Sequence, residues 1–234
     1  MYRKKKKYSQ VASNFEARQI LSPQYEIESQ TTHGNFLEPI LSDIYNFPLT
    51  STKSKITLPK KKKTLVLDLD ETLVHASMED DTNVSWRIEV EVEGLSCLYF
   101  IRKRPFVDYF LDIVSKWYSL VIFTASKREY ASKVIDLLDN GRSLFKDRYY
   151  RESCISENDT SYYKKLDIID SDLSSIFIID NSPLSFALFP DNGVHIETWK
   201  NDKNDTSLFD LLSFLDALRF CNDVRSIISL KQFT

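Results

Sequence analysis

Hydrophobic and polar positions along the chain change character abruptly at Thr64. Thr64-Leu65-Val66-Leu67-Asp68-Leu69-Asp70 is a short apolar run that ends in acids. Such a run reads as a strand buried on both faces of a parallel sheet. Val84, Trp86, Ile88, Val90 and Val92 then alternate with polar residues, the period of a half-exposed strand. Glu93-Gly94 turns the chain and Leu95 to Arg102 returns it, so an inserted antiparallel hairpin is predicted over residues 84–102. Pro105 suits the first turn of a helix, with Phe106, Phe110, Ile113, Val114 and Trp117 on one face. Ser119 to Thr124 is a second buried strand, and Tyr130, Val134, Leu137 and Leu138 mark a second helix. Ser175 to Asp180 is a third strand and Val194-His195-Ile196 a fourth. Leu208, Leu211, Leu212, Leu215 and Leu218 form the face of a last helix. Strands alternating with helices predict a three-layer α/β, Rossmann-like domain around a mostly parallel sheet.

Upstream of Thr64 no such rhythm is sustained. Residues 1–63 carry 12 basic and 5 acidic side chains, whereas residues 64–234 carry 19 and 29. Residues 1–59 are therefore expected to be a basic, polar tail, mostly disordered or loosely docked, and residues 60–234 the domain. Phe36 to Phe47 is the tail's one apolar patch. The clusters Lys4–Lys7 and Lys60–Lys63 fit a nuclear-import signal, a nucleic-acid patch or plain solubilising charge, and the second also fits the flank of a strand.

Composition excludes several classes. The net charge of −3 argues against a nucleic-acid polycation, so nucleic acid is not an expected partner. Gly34, Gly94, Gly141 and Gly193 are too far apart for a glycine-rich phosphate loop. No apolar run is long enough to cross a bilayer, so no membrane partner is expected. The basic N-terminus has no apolar stretch behind it, which argues against a secretory signal. Cys97, Cys154 and Cys221 form no spaced pair, which favours a reducing, intracellular compartment, nuclear or cytoplasmic, with the nucleus favoured. A thiol-based phosphatase needs an arginine six residues after its cysteine. Those positions hold Lys103, Thr160 and Ile227.

The chemistry lies at the strand ends, where open α/β sheets bind ligands. Asp68 and Asp70, Thr124 and Ser126, and Asp180 and Asn181 each follow an apolar run. Adjacent parallel strands would bring them together. Oxygen donors from Asp68, Asp70, Asp180 and Asn181 suit a hard cation such as Mg²⁺. Two carboxylates two residues apart can divide labour between nucleophile and proton carrier, and their repulsion drives their pKa values apart.

Asp68-Leu69-Asp70-Glu71-Thr72-Leu73-Val74-His75 resembles the signature of the haloacid-dehalogenase (HAD) superfamily of aspartate-nucleophile phosphatases. More narrowly it is similar to the small phosphatases of the RNA polymerase II C-terminal domain, the nuclear LIM interactor-interacting factor type. Lys103-Arg104-Pro105, Phe123-Thr124-Ala125-Ser126, Arg151-Glu152-Ser153-Cys154, Lys164, Asp180-Asn181-Ser182-Pro183 and Pro190-Asp191-Asn192 match in the family order, over about residues 60–230. The resemblance implies a HAD fold and a Mg²⁺-dependent phosphoserine/phosphothreonine protein phosphatase. It makes Asp68 the nucleophile and Asp70 the acid and base. Thr124 and Lys164 bind the phosphoryl group, and Mg²⁺ sits among Asp68, the Asp70 carbonyl, Asn181 and phosphate. Asp180 orients metal water or Lys164. Lys164 competes with Lys165 for its role, and the downstream Leu166 selects Lys164.

Ser126, Lys127 and Arg151 are further candidates for substrate contact. The family's glycine after Lys-Arg-Pro is Phe106 here, and the apolar residue after Thr-Ala-Ser is Lys127, followed by Arg128. A basic rim favours acidic phosphopeptides, which weakens the case for the polymerase tail as substrate. The expected partner is a phosphoprotein and the expected state a monomer. The alternative is a catalytically silent phosphoprotein-binding scaffold of the same fold.

Overall fold

The structure is a computed structural model that describes residues 61–79, 84–92, 94–157 and 160–231. The predicted tail, with Lys4–Lys7 and the Phe36 to Phe47 patch, lies outside the described residues. In chain order the elements are β1 (Thr64–Leu67), β2 (Val74–Ser77), β3 (Trp86–Val92), β4 (Leu95–Lys103), α1 (Val107–Trp117), β5 (Ser119–Phe123), α2 (Arg128–Asp139), β6 (Phe145–Tyr149), β7 (Ile155–Glu157), β8 (Ser161–Tyr163), β9 (Ile176–Asp180), β10 (Gly193–His195), α3 (Ser207–Leu218) and α4 (Arg225–Lys231).

Five parallel strands form the central sheet in the order β10-β9-β1-β5-β6. β1 is the middle strand, and its four residues are all buried. Its alternate side chains enter two cores, because successive strand residues point to opposite faces. Leu65 and Leu67, with Phe177 and Ile179 of β9, join the apolar faces of the four helices. Val66, with Val121, Ile176 and Ile178, packs under Leu166 and Phe186, which belong to short 3₁₀ turns. The layers are thus helices, sheet, and a thinner cover of turns. Full burial of each such aliphatic or aromatic side chain contributes about 1.5–3 kcal/mol. Gly193 is dictated by this cover: a Cβ there would lie 2.0 Å from the Phe186 ring.

The predicted hairpin is part of a larger element. β3 and β4 pair as expected, but β2 adds to β4, giving a three-stranded antiparallel sheet in the order β2-β4-β3. β6, the β7–β8 hairpin and α4 are also additions to the predicted set. The face of α1 is rotated from the predicted one. Val107, Phe110, Leu111 and Val114 are buried, while Phe106 precedes the helix and stays partly exposed. The backbone of Phe106 has φ 64°, the left-handed region that glycine adopts without cost. Its ring rests 5.6 Å from that of Phe209. Of the lysine cluster before β1, Lys61 pairs with Asp170, Lys62 donates to the Ser115 carbonyl and Lys63 to that of Arg219.

Candidate active site

The register Leu67↔Ile122 and Leu67↔Ile179 aligns the carboxyl ends of β1, β5 and β9. The chain leaving each therefore opens into one cleft. After β1 it folds into a tight loop. The N–H groups of Leu73 and Val74 both reach the Leu69 carbonyl, and the Glu71 N–H donates to the Val74 carbonyl. Glu71 takes a left-handed φ of 60° to close it. Leu69 and Leu73 are fully buried and anchor the loop, Thr72 between them is buried as well, and Asp70 and Glu71 line the cleft.

Asp68 is nearly buried, and both its oxygens are held. Lys164 Nζ donates to Oδ1 at 2.6 Å, and Thr72 Oγ1 to Oδ2 at 2.8 Å. Lys164 also donates to Asp180 Oδ2 at 2.6 Å, and the other Asp180 oxygen accepts the Ser182 N–H. Burial alone would lower the Lys164 pKa, but Asp68 and Asp180 outweigh it and keep the ammonium charged. Two carboxylates face one ammonium in a low-dielectric site. Burial and Asp68 accordingly hold Asp180 above the ordinary carboxylate range, against the pull of Lys164. Lys165, its competitor in the sequence, points to the surface and pairs with Asp167 at 3.3 Å.

Asp70 sits in a different environment. Burial pushes its pKa up to about 6, with Asp68 and Glu71 adding to the rise, while hydrogen bonds from Ser126 and Tyr130 restrain it. Ser126 Oγ donates to Oδ2 and Tyr130 Oη to Oδ1, each at 2.6 Å. Ser126 was expected at the substrate; its hydroxyl is engaged by Asp70. Burial and the neighbouring Asp70 raise the Tyr130 pKa, so the phenol remains a donor. Tyr130 in this role was missed from sequence. Its signal is the four-residue spacing from Ser126, which puts one side chain just before α2 and the other in its first turn.

Thr124 is buried at the end of β5 and accepts the Ser126 N–H on its Oγ1 at 3.0 Å. Among the described residues its O–H hydrogen meets no acceptor, which leaves it for a further one. Lys127 and Arg151 line an open recess of about 480 Å³ beside Asp70, with Ala76, Tyr99 and Tyr130. Arg151 is aimed by the Ala125 carbonyl, which accepts from its Nε at 2.6 Å. Arg128 does not share this rim: it pairs with Glu152 and stacks 4.2 Å over Tyr150. His75 pairs with Glu71 at 2.9 Å on β2. Burial pushes the Cys154 thiol up to about 11, so it is a poor nucleophile.

Asp68 Oδ2 and Asn181 Oδ1 lie 2.8 and 3.4 Å from the same Thr72 hydroxyl. Two hard oxygen donors therefore converge beside a buried acid excess. That donor set suits Mg²⁺. Asp180, also named as a ligand from sequence, has one oxygen on Lys164 and the other on the Ser182 N–H.

The parallel sheet, the strand-end acids and the small inserted antiparallel sheet define a HAD-type phosphatase fold. Two solved structures of the RNA polymerase II CTD phosphatase Fcp1, one from fission yeast bound to beryllium fluoride, share it. Both have a TM-score of 0.52, at 19% and 22% identity, and each match covers 73% of this chain and 54% or 53% of theirs. Residues 63–225 match the model of the NLI interacting factor-like phosphatase family, and the chain belongs to that family. It is a protein phosphatase of the CTD phosphatase type. CTD nuclear envelope phosphatase 1 homologs are similar, from Drosophila melanogaster at 47% identity over 78% of both chains and from Caenorhabditis elegans at 45% over 79% and 78%. Nuclear envelope morphology protein 1 of Saccharomyces cerevisiae is 45% identical over 79% of this chain and 45% of its own length.

Proposed function

We propose that the chain is a Mg²⁺-dependent phosphoserine/phosphothreonine phosphatase that works through an aspartyl-phosphate on Asp68. One observation carries this reading: two nearby carboxylates are held in opposite conditions. Asp68 is paired with an ammonium and a hydroxyl, whereas Asp70 is raised to about 6. Paired carboxylates with divided environments are the arrangement of a nucleophile and an acid.

In the first step an Asp68 oxygen attacks phosphorus, and the seryl or threonyl oxygen leaves with the proton of Asp70. In the second, Asp70 takes a proton from water. The water oxygen attacks phosphorus, phosphate departs and the Asp68 carboxylate returns. Splitting one displacement into two in this way is covalent catalysis. Thr124 donates to a phosphoryl oxygen, and Lys164 offsets charge on the phosphoryl group while fixing the angle of Asp68. Asp180 keeps Lys164 in place. Asp68, the Asp70 carbonyl and Asn181 would hold Mg²⁺, which neutralises phosphoryl charge when bound.

A silent scaffold is disfavoured because Ser126 and Tyr130 are both spent on orienting Asp70, a group that binding alone does not require. The small inserted sheet leaves the cleft open, which suits a protein chain as substrate. The names of the relatives support a nuclear-envelope setting. No helix among the described residues is long and apolar enough to cross a membrane.

The decisive experiment compares the parent with Asp68→Asn on p-nitrophenyl phosphate and on phosphopeptides, with and without EDTA and added Mg²⁺. Loss of more than about a thousandfold in turnover is expected, with beryllium fluoride trapping only the parent. Near-normal turnover in Asp68→Asn would refute the covalent route.

A further inference from the structure

A second recess shares no lining residue with the one beside Lys127. It has a volume of about 300 Å³ and is lined by Arg102, Lys103, Lys203, Asn201 and Ser85 against Trp199. Three of these carry positive charge. Lys103 is paired with Asp108 and lies 5.3 Å over the Trp86 ring, so it is fixed as the recess wall. Lys203 stands on an exposed loop, and Arg102 lies on β4 opposite His75. Trp199 is buried and donates its indole N–H to the Asp202 carbonyl, which makes a rigid back wall.

The recess is tied directly to the reaction centre. The backbone N–H of Trp199 donates to the Glu71 carbonyl at 2.9 Å, and the preceding Thr198 accepts on Oγ1 from Asn181 Nδ2 at 3.1 Å. One loop thus touches a candidate metal ligand and lines the basic recess.

We propose that this recess binds a second anionic side chain of the substrate, a phosphoryl group or carboxylate, a few residues along the chain from the phosphate being removed. The enzyme then grips a multiply phosphorylated or acidic segment at two points, with Arg102 and Lys203 as the distal anchor. The inference rests on the phosphatase reading above. Its chemistry is that of ordinary charge-assisted hydrogen bonds from guanidinium and ammonium to an oxyanion.

The test uses the full chain with p-nitrophenyl phosphate and a series of peptides. Each peptide carries a target phosphothreonine and a second phosphoserine, or alanine in its place, two to five residues away on either side. At low salt, kcat/KM should be about fivefold higher for at least one doubly phosphorylated spacing, mostly through KM. Arg102→Gln/Lys203→Gln should abolish that advantage and leave turnover of p-nitrophenyl phosphate and of the single phosphopeptide unchanged. Lys203→Glu, on the exposed loop, serves if the double variant does not fold. The second phosphate supplied as a separate peptide or as inorganic phosphate should give no advantage. The inference is overturned if no spacing helps, if the advantage survives in the variants, or if the variants weaken both peptides equally. Normal p-nitrophenyl phosphate turnover with any of those results would leave the phosphatase reading intact; its loss in Asp68→Asn tests that reading separately.

Discussion

Arg104 is fully buried, yet it holds the loop after β1 to the start of α3. Its Nε and Nη2 donate to the two oxygens of Asp205, each at 2.8 Å, and Nη1 donates to the Thr72 carbonyl at 3.2 Å. Asp205 in turn accepts the Ser207 N–H and O–H at the first residue of α3. Arg104→Met keeps most of the apolar stem but leaves Asp205 as a largely buried, unpaired charge. Removing one partner of such a pair costs about 3–5 kcal/mol. For a domain of this size each kcal/mol moves Tm by about 2–4 °C, so a fall of roughly 6–20 °C is expected in thermal unfolding followed by circular dichroism. Arg104→Met/Asp205→Asn removes the stranded charge and keeps an acceptor for Ser207, so it should recover at least about 1.5 kcal/mol. Burial would raise the Asp205 pKa, but Arg104 and Ser207 outweigh it and hold it below the usual carboxylate range. A lowered folded-state pKa means stability that is full above about pH 4 and is lost as pH falls through the folded value. The parent should therefore lose stability in acid more steeply than Arg104→Met. A cost below about 1 kcal/mol, or no recovery in the double variant, would refute this account of the pair.

Two further outcomes follow from the site. Tyr130→Phe removes one of the two hydroxyls that orient Asp70, while its ring contact with Tyr99, 4.9 Å between centroids, is kept. A hydrogen bond to a charged group is worth about 1.5–3 kcal/mol, so kcat should fall about tenfold or more, with KM for a phosphopeptide little changed; an unchanged kcat would show that Ser126 alone suffices. Lys127 lines the recess beside Asp70, so peptides with Asp or Glu next to the phosphosite should be turned over several-fold faster than proline-flanked ones at low salt. Lys127→Leu should narrow that gap, and an unaltered preference in steady-state assays would remove Lys127 from substrate selection.

The apolar runs at Thr64, Ser119 and Ser175 disclosed three adjacent central strands because strands covered on both faces leave no polar alternation to confuse with a helix. Elements without that constraint were not legible. β6 reads Phe145-Lys146-Asp147-Arg148-Tyr149 and lies at the sheet edge, where two of its side chains are exposed. Every residue of β7 is exposed, so its pairing with β8 leaves no apolar period. β2 is four residues long and contains His75; only its pairing with β4 makes it a strand. The phase error in α1 has a conformational cause. Phe106 reads as the first apolar position of the helix, but its left-handed φ ends the preceding turn, and the buried face starts at Val107. That also accounts for a glycine in the family's usual pattern, since a residue with a Cβ is strained there by about 1–3 kcal/mol.

The acids of the site were legible and most of their partners were not, for one reason. A carboxylate that interrupts a buried run stands out locally, whereas its partners come from other elements and look like ordinary surface residues. Lys164 and Lys165 are adjacent in sequence and alike in chemistry. The difference arises because the Lys164 N–H is fixed to the Ser185 carbonyl and its side chain turns inward between Asp68 and Asp180, while Lys165 meets Asp167 at the surface. Arg128 and Lys127 invert that lesson. Both were read as one basic rim, but Glu152 and Tyr150 hold Arg128, and only Lys127 lines the recess beside Asp70. The side chains that tune the two catalytic candidates are thus set by register and packing. A substitution at Thr72, Ser126 or Tyr130 should change the chemistry of an aspartate that the substitution leaves in place.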